Sequence, residues 1–159
     1  MKSPKSYLKS ASLFFAGFAA AVALTLACAA GGAYAELIDN NNGTITDTST
    51  RLVWLKNANC FGKQDWQTAM NSAAGLSSGA CGLSDQSTAG QWRLPKKEEL
   101  QARAASRAGF SNIQSSYYWS SSTYAYNTYY AWFAGMYNSL VDYGSKSYYY
   151  NVWPVRAGR

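Results

Sequence analysis

The side chains that usually carry enzymatic proton transfer are scarce in this sequence. Of 159 residues none is histidine, and aspartate plus glutamate number 8. Imidazole is the commonest general acid–base group near neutrality, so the simplest hydrolytic and transfer chemistries lose their usual agent. The carboxylates are Glu36, Asp39, Asp47, Asp65, Asp85, Glu98, Glu99 and Asp142. No spacing among them suggests a glycosidase couple, and on a helix Glu98 and Glu99 would point about 100° apart. Cys60 and Cys81 are too far apart for a redox CxxC or a zinc knuckle, and histidine is missing as a co-ligand. The stretch DNNNG (39–43) faintly resembles a calcium loop, but Thr50 stands where the twelfth position needs Glu, so it reads as a turn. The expectation is a chain with no catalytic residue, no metal and no cofactor.

The chemistry that is abundant is aromatic. From 36 to 116 there is no tyrosine, whereas 117–150 holds eleven of the chain's 13. A core needs no such partition, because Phe and Leu bury equally well. Tyrosine suits contact surfaces: a large rigid ring, few torsions to freeze, and a hydroxyl for hydrogen bonding. Ser, Gly and Asn surround it here, as they do in antibody loops. The run SKSYYYNVWPVR (145–156) sharpens the point, since strand alternation sends adjacent rings to opposite faces, one of which should be water. A Tyr-rich sheet face is the plainer reading, but contiguous exposed aromatics generally mark an interaction surface.

These residues need a scaffold, and the N-terminal segment is not part of it. Lys2, Lys5 and Lys9 precede an uncharged apolar run over 11–30, and Ala33-Tyr34-Ala35 fits a signal-peptide cleavage pattern. Residues 1–35 therefore read as a secretory signal and 36–159 as the exported domain. A membrane span competes because the apolar run is long. Cys28, in LTLAC, offers a second alternative: lipidation, with the mature chain tethered to a membrane through it. Setting the three leader lysines aside takes the formal charge from +6 to +3. No basic run exceeds Lys96-Lys97, so nucleic acid is not an expected partner. In an oxidising compartment Cys60 and Cys81 pair as a disulfide, whose loop closure is worth about 3 kcal/mol.

The expected elements begin with a β-hairpin in ELIDNNNGTITDTSTRLVWLKN (36–57), turning at Asn42-Gly43. Trp66, Ala69, Met70, Ala73 and Ala74 make one apolar stripe, which predicts a helix over 65–76 with Asp65 as N-cap. Pro95 opens a second helix over 96–108, stopped by Gly109. From Tyr117 onward the pattern predicts three or four short antiparallel strands. Strands, two helices, then strands is an α+β order.

The motifs NNGTITDTSTRLVWLKN, WRLPKKEEL (92–100), YYWSSSTY (117–124), AW (131–132) and VWPVR (152–156) resemble, in order, those of the Lcl C-terminal domain family. That resemblance implies a C-type-lectin-like fold with one disulfide over nearly the whole exported chain. Calcium-dependent sugar-binding triplets of C-type lectins (Glu-Pro-Asn, Gln-Pro-Asp, Trp-Asn-Asp) do not occur. The tail over 117–156 further resembles the variable proteins of diversity-generating retroelements, in which adenine-directed mutagenesis alters selected codons. It implies a fixed frame of Trp119, Ser120, Ser121, Ala131, Trp132, Val141, Lys146, Val152, Pro154, Val155 and Arg156. Between them lie candidate ligand contacts: Tyr124, Tyr126, Asn127, Phe133, Tyr137, Asn138, Leu140, Asp142, Tyr143, Tyr148, Tyr149, Tyr150, Asn151 and Trp153, with Gly135 and Gly144 as further changeable positions. Family members often carry Gly at positions 51 and 139, Phe at 136 and Arg at 153. The expected function is ligand binding without catalysis, by tyrosines on one exposed face away from the 39–56 hairpin. The ligand would be a protein or glycan on another cell or a phage surface. The alternative is a fixed adhesin that stacks on sugar rings and meets anionic glycans through Lys146, Arg156 and Arg159.

Overall fold

The computed structural model describes residues 36–158; the expected signal segment 1–35 with Cys28, and Arg159, lie outside them. Nine strands and two helices follow one another as β1 (Leu37–Asp39), β2 (Thr44–Asp47), β3 (Leu52–Leu55), β4 (Lys63–Gln64), α1 (Trp66–Gly75), α2 (Lys97–Ala105), β5 (Tyr117–Thr123), β6 (Tyr130–Gly135), β7 (Val141–Ser145), β8 (Tyr150–Asn151) and β9 (Val155–Ala157). The strands form a four-stranded sheet, β1-β2-β3-β9, and a five-stranded one, β4-β8-β5-β6-β7. The fold is α+β with largely antiparallel sheets, and a disulfide joins Cys60 to Cys81 with Cα atoms 5.6 Å apart.

The N-terminal hairpin is a three-stranded meander. Asn42-Gly43 ends the first turn, and 48–51 makes a second between β2 and β3. Gly43 has φ 84°, and a Cβ there would collide with the Gly82 carbonyl, so only glycine fits. Arg51 sits at φ 58°, in the left-handed region. Ile45 opposes Trp54 across the β2–β3 ladder and both are buried.

Helix α1 follows its pattern except at Ala74, which the stripe placed inward and the structure leaves exposed. Asp65 accepts the Thr68 N–H at 3.1 Å as N-cap, and Ala69 and Ala73 are fully buried. Helix α2 ends at Ala105, short of the expected 108. Arg103 is drawn into the core to a buried ion pair with Asp47 of β2, and it also donates to the Ser106 carbonyl at 2.9 Å. Phe110 then packs edge-on to Trp153, so the chain must turn before it; Gly109, φ 84°, lies in that turn and not at the helix end. The tail forms five strands, and β9 leaves its neighbours to pair antiparallel with β3 of the other sheet.

Two buried clusters hold these layers together. One joins both sheets and α2 through Trp54, Trp92, Leu100, Tyr118 and Trp153; the other seats Ala69 and Ala73 of α1 on Trp119 and Phe133. Burial of large aromatics contributes about 1.5–3 kcal/mol for each side chain.

Candidate ligand-binding surface

The tyrosines ride on the five-stranded sheet, whereas the 39–56 meander belongs to the other. Their supports are local. In β5, Tyr118 and Trp119 are buried and Ser120 bonds the Trp132 carbonyl at 2.9 Å. Beyond Trp119 the β5–β6 register shifts, which bends the strand. The following turn projects Tyr126 and Tyr129, 90% and 80% exposed. Asn127 shapes that turn, its side-chain oxygen accepting the Tyr129 N–H at 3.0 Å. Asn138 does the same for Leu140 at 3.1 Å after β6, beside Ser139 at φ 55°.

Strand register divides the rings between two faces. Trp132 opposes Tyr143 and Tyr130 opposes Ser145, whereas Phe133 opposes both Asp142 and Trp119. Adjacent residues of a strand point oppositely, so these two sets cannot share a face. The α2 side carries Tyr124 stacked on Tyr143 at 3.9 Å, with Trp132, Tyr130 and Tyr126 against the pair and Lys97 of α2 over the Trp132 ring at 4.3 Å. The α1 side carries Tyr150 at the centre of a second group: Tyr117 at 5.2 Å, Phe133 at 4.8 Å and Tyr148 at 6.2 Å. Tyr117 and Tyr137 join this group through hydroxyls 2.5 Å apart. The expectation of one tyrosine face is thus corrected to two, split across edge strand β7.

Both faces hold phenols raised above their ordinary value; on the α2 side hydrogen bonding to Tyr143 raises Tyr124. Burial pushes the Tyr150 phenol above its ordinary value, and the neighbouring Tyr117, Tyr148, Asp142 and Tyr137 push it further. Hydrogen bonding to Tyr117 raises Tyr137 as well. These rings therefore present neutral hydroxyls at physiological pH. Lys146 sits over Trp66 at 3.9 Å and bonds the Thr123 hydroxyl at 3.0 Å, and burial lowers its ammonium. Arg156 pairs with buried Asp85 at 3.0 Å.

Several anticipated contacts are not available at the surface. Trp153 is fully buried and its indole N–H donates to the Leu55 carbonyl at 2.8 Å, so it is a core residue. Asn151 is buried with its amide on the Tyr117 carbonyl, and Phe133 lies beneath the tyrosine rings. Gly135 and Gly144 are buried too; a Cβ at Gly144 would press on Phe133, Tyr148 and the Tyr150 hydroxyl. Exposed or half-buried are Tyr124, Tyr126, Asn127, Tyr137, Asn138, Leu140, Asp142, Tyr143, Tyr148, Tyr149 and Tyr150, whereas every residue of the expected frame is buried or half-buried. Tyr129, Tyr117 and Lys97 also line these faces and escaped the motif-based selection. Tyr129 was visible in the sequence as one more ring in a Ser-, Asn- and Thr-flanked run; Lys97 arrives from a distant helix and left no local signal.

The family model for the Lcl C-terminal domain matches residues 43–156. No curated protein matches the chain.

Proposed function

The chain belongs to the Lcl C-terminal domain family, and from that premise we propose that it is an exported, non-enzymatic binding protein whose C-terminal aromatic surface contacts a protein partner. The observation that carries this reading is the exposure of Tyr126, Tyr129, Tyr137, Tyr143, Tyr148 and Tyr149 above a frame with no exposed member. Six large rings left at least two-fifths exposed bury little on folding and supply rigid contact area for recognition. The pattern suits a retroelement-diversified surface: the positions between frame residues mostly reach solvent, so altering them leaves the core intact. Export by the 1–35 segment precedes display in this reading, with Cys28 lipidation as a tether in its alternative form.

A fixed glycan adhesin is the weaker reading. The cations offered for anionic sugars are largely spent, Lys146 on Trp66 and Thr123 and Arg156 on Asp85. Binding to heparin should accordingly be weak and fade as salt rises.

A display library randomised at Tyr126, Tyr129, Tyr137, Leu140, Tyr148 and Tyr149 tests the proposal. Most clones should fold, and selection against purified bacterial envelope proteins should yield binders. Randomising Trp119, Ala131, Val152 and Val155 instead should unfold most clones. A folded surface library with no binder beyond the parent's background refutes the contact role. Diversification is tested separately in DNA: it requires a near-copy of the 117–156 coding segment, differing mainly at adenines, beside a reverse-transcriptase gene.

A further inference from the structure

Five cation–π contacts occur among the described residues, and in each the chain covers its own ring with its own cation. Lys97 covers Trp132 and Lys146 covers Trp66 near the surface; Arg103 and Arg156 serve Trp54 and Trp92 in the core. The group around Tyr150 is different. None of these contacts touches Tyr117, Phe133, Tyr137, Tyr148 or Tyr150. What that group holds is a carboxylate. Asp142 opposes Phe133 across the β6–β7 ladder, so both side chains rise from the same face. It is exposed, and it belongs to none of the five ion pairs among the described residues. Burial above all, then Tyr117, Tyr148 and Asp142, raise the Tyr150 phenol above its ordinary value. Asp142 Oδ1 accepts the Tyr143 N–H at 2.8 Å, which restricts the orientation of the carboxylate.

Ring faces attract cations, and an unpaired carboxylate among them adds directional hydrogen bonding. We propose that the Tyr150–Asp142 patch receives an arginine side chain of the protein partner, its guanidinium stacked on tyrosine and hydrogen-bonded to Asp142. This rests on the binding reading above and names the chemistry of one contact. Arginine fits better than lysine because its plane stacks on a ring and its fork matches a carboxylate, at a lower dehydration cost. Each face carries one lysine on a tryptophan, Lys97 on Trp132 and Lys146 on Trp66, and the α1 face adds the carboxylate of Asp142.

Tyrosine-ring NMR on the 36–159 chain tests this with acetyl-argininamide, its neutral isostere acetyl-citrullinamide, and acetyl-lysinamide. The arginine probe should shift Tyr137, Tyr148 and Tyr150 ring signals saturably and leave Tyr124 and Tyr143 unmoved. The citrulline probe should bind about tenfold more weakly, as expected for loss of a charge-assisted contact. Asp142→Asn should weaken the arginine probe by a similar factor while retaining an acceptor for the Tyr143 N–H, and Lys97→Gln should change nothing. Equal binding by citrullinamide, indifference to Asp142→Asn, shifts confined to Tyr124 and Tyr143, or no saturable binding would each overturn the proposal. Equal binding by lysinamide would overturn the preference for arginine. If the display library still yields binders after such a result, only the arginine assignment falls.

Discussion

Trp153 separates scaffold from contact surface most sharply. It lies in the tail, in a motif where the family often carries Arg, and its type suits a binding hot spot. Its environment says otherwise: no exposed area, Trp54 at 5.3 Å, Phe110 at 4.9 Å, Tyr118 at 5.7 Å and a 2.8 Å hydrogen bond to the Leu55 carbonyl. Trp153→Ala removes a buried indole and leaves a cavity, at a cost of about 3–5 kcal/mol. The orphaned Leu55 carbonyl places the value toward the upper end. With a urea dependence of about 2 kcal/mol per molar, the unfolding midpoint should fall by about 2 M. Trp153→Phe, which keeps apolar bulk but not the N–H, should fall between that variant and the parent. Tyr149→Ala, at a ring 63% exposed, is the control and should cost no more than about 0.5 kcal/mol. Urea unfolding followed by far-UV circular dichroism reads all three. A Trp153→Ala midpoint within about 0.5 M of the parent would refute the assignment of this ring to the core.

Acid should weaken the fold through Asp47, Asp85 and Glu99. Burial raises each carboxyl, but hydrogen bonds and the facing Arg103, Arg156 and Arg93 outweigh it and hold all three below their ordinary values. The unfolded chain therefore takes up protons first, so this stability is full above about pH 5 and drains as pH falls through the folded-state values. Thermal melts should show the gap between the parent and Asp47→Asn narrowing from pH 7 to pH 3; a constant gap would contradict the buried pair's role. Replacing Cys60 and Cys81 together by Ser should cost about 3 kcal/mol in denaturant unfolding, and a reductant should bring the parent to the same midpoint. At Ser139, φ 55°, Val should destabilise by more than about 1 kcal/mol while Gly is neutral or stabilising, because a β-branched side chain crowds the left-handed region. Equal melting temperatures for the two would remove that strain from consideration.

Much of this was legible in the residues because it depends on neighbours in the chain. The α1 stripe and its Asp65 cap are properties of one turn and the next, and the Gly43 turn is a local steric demand. The cysteine pair followed from parity and compartment. The separation of buried from exposed positions was readable for most of the tail, since buried Ala131, Val152 and Val155 differ in kind from exposed Tyr126, Tyr148 and Tyr149.

Residue types alone determined the α+β order, the disulfide and the concentration of tyrosines in the last quarter. Tertiary structure decided where those rings go. Trp153 and Asn151 were drawn inward because β8 and the connection to β9 bridge the two sheets, a crossing no local pattern encodes. The single tyrosine face became two because β6–β7 register sends adjacent residues to opposite sides, and register is set by pairing with a strand distant in sequence. The charges beside the rings have the same origin: Lys97 comes from α2 and Asp142 from β7, and only folding brings each to its face.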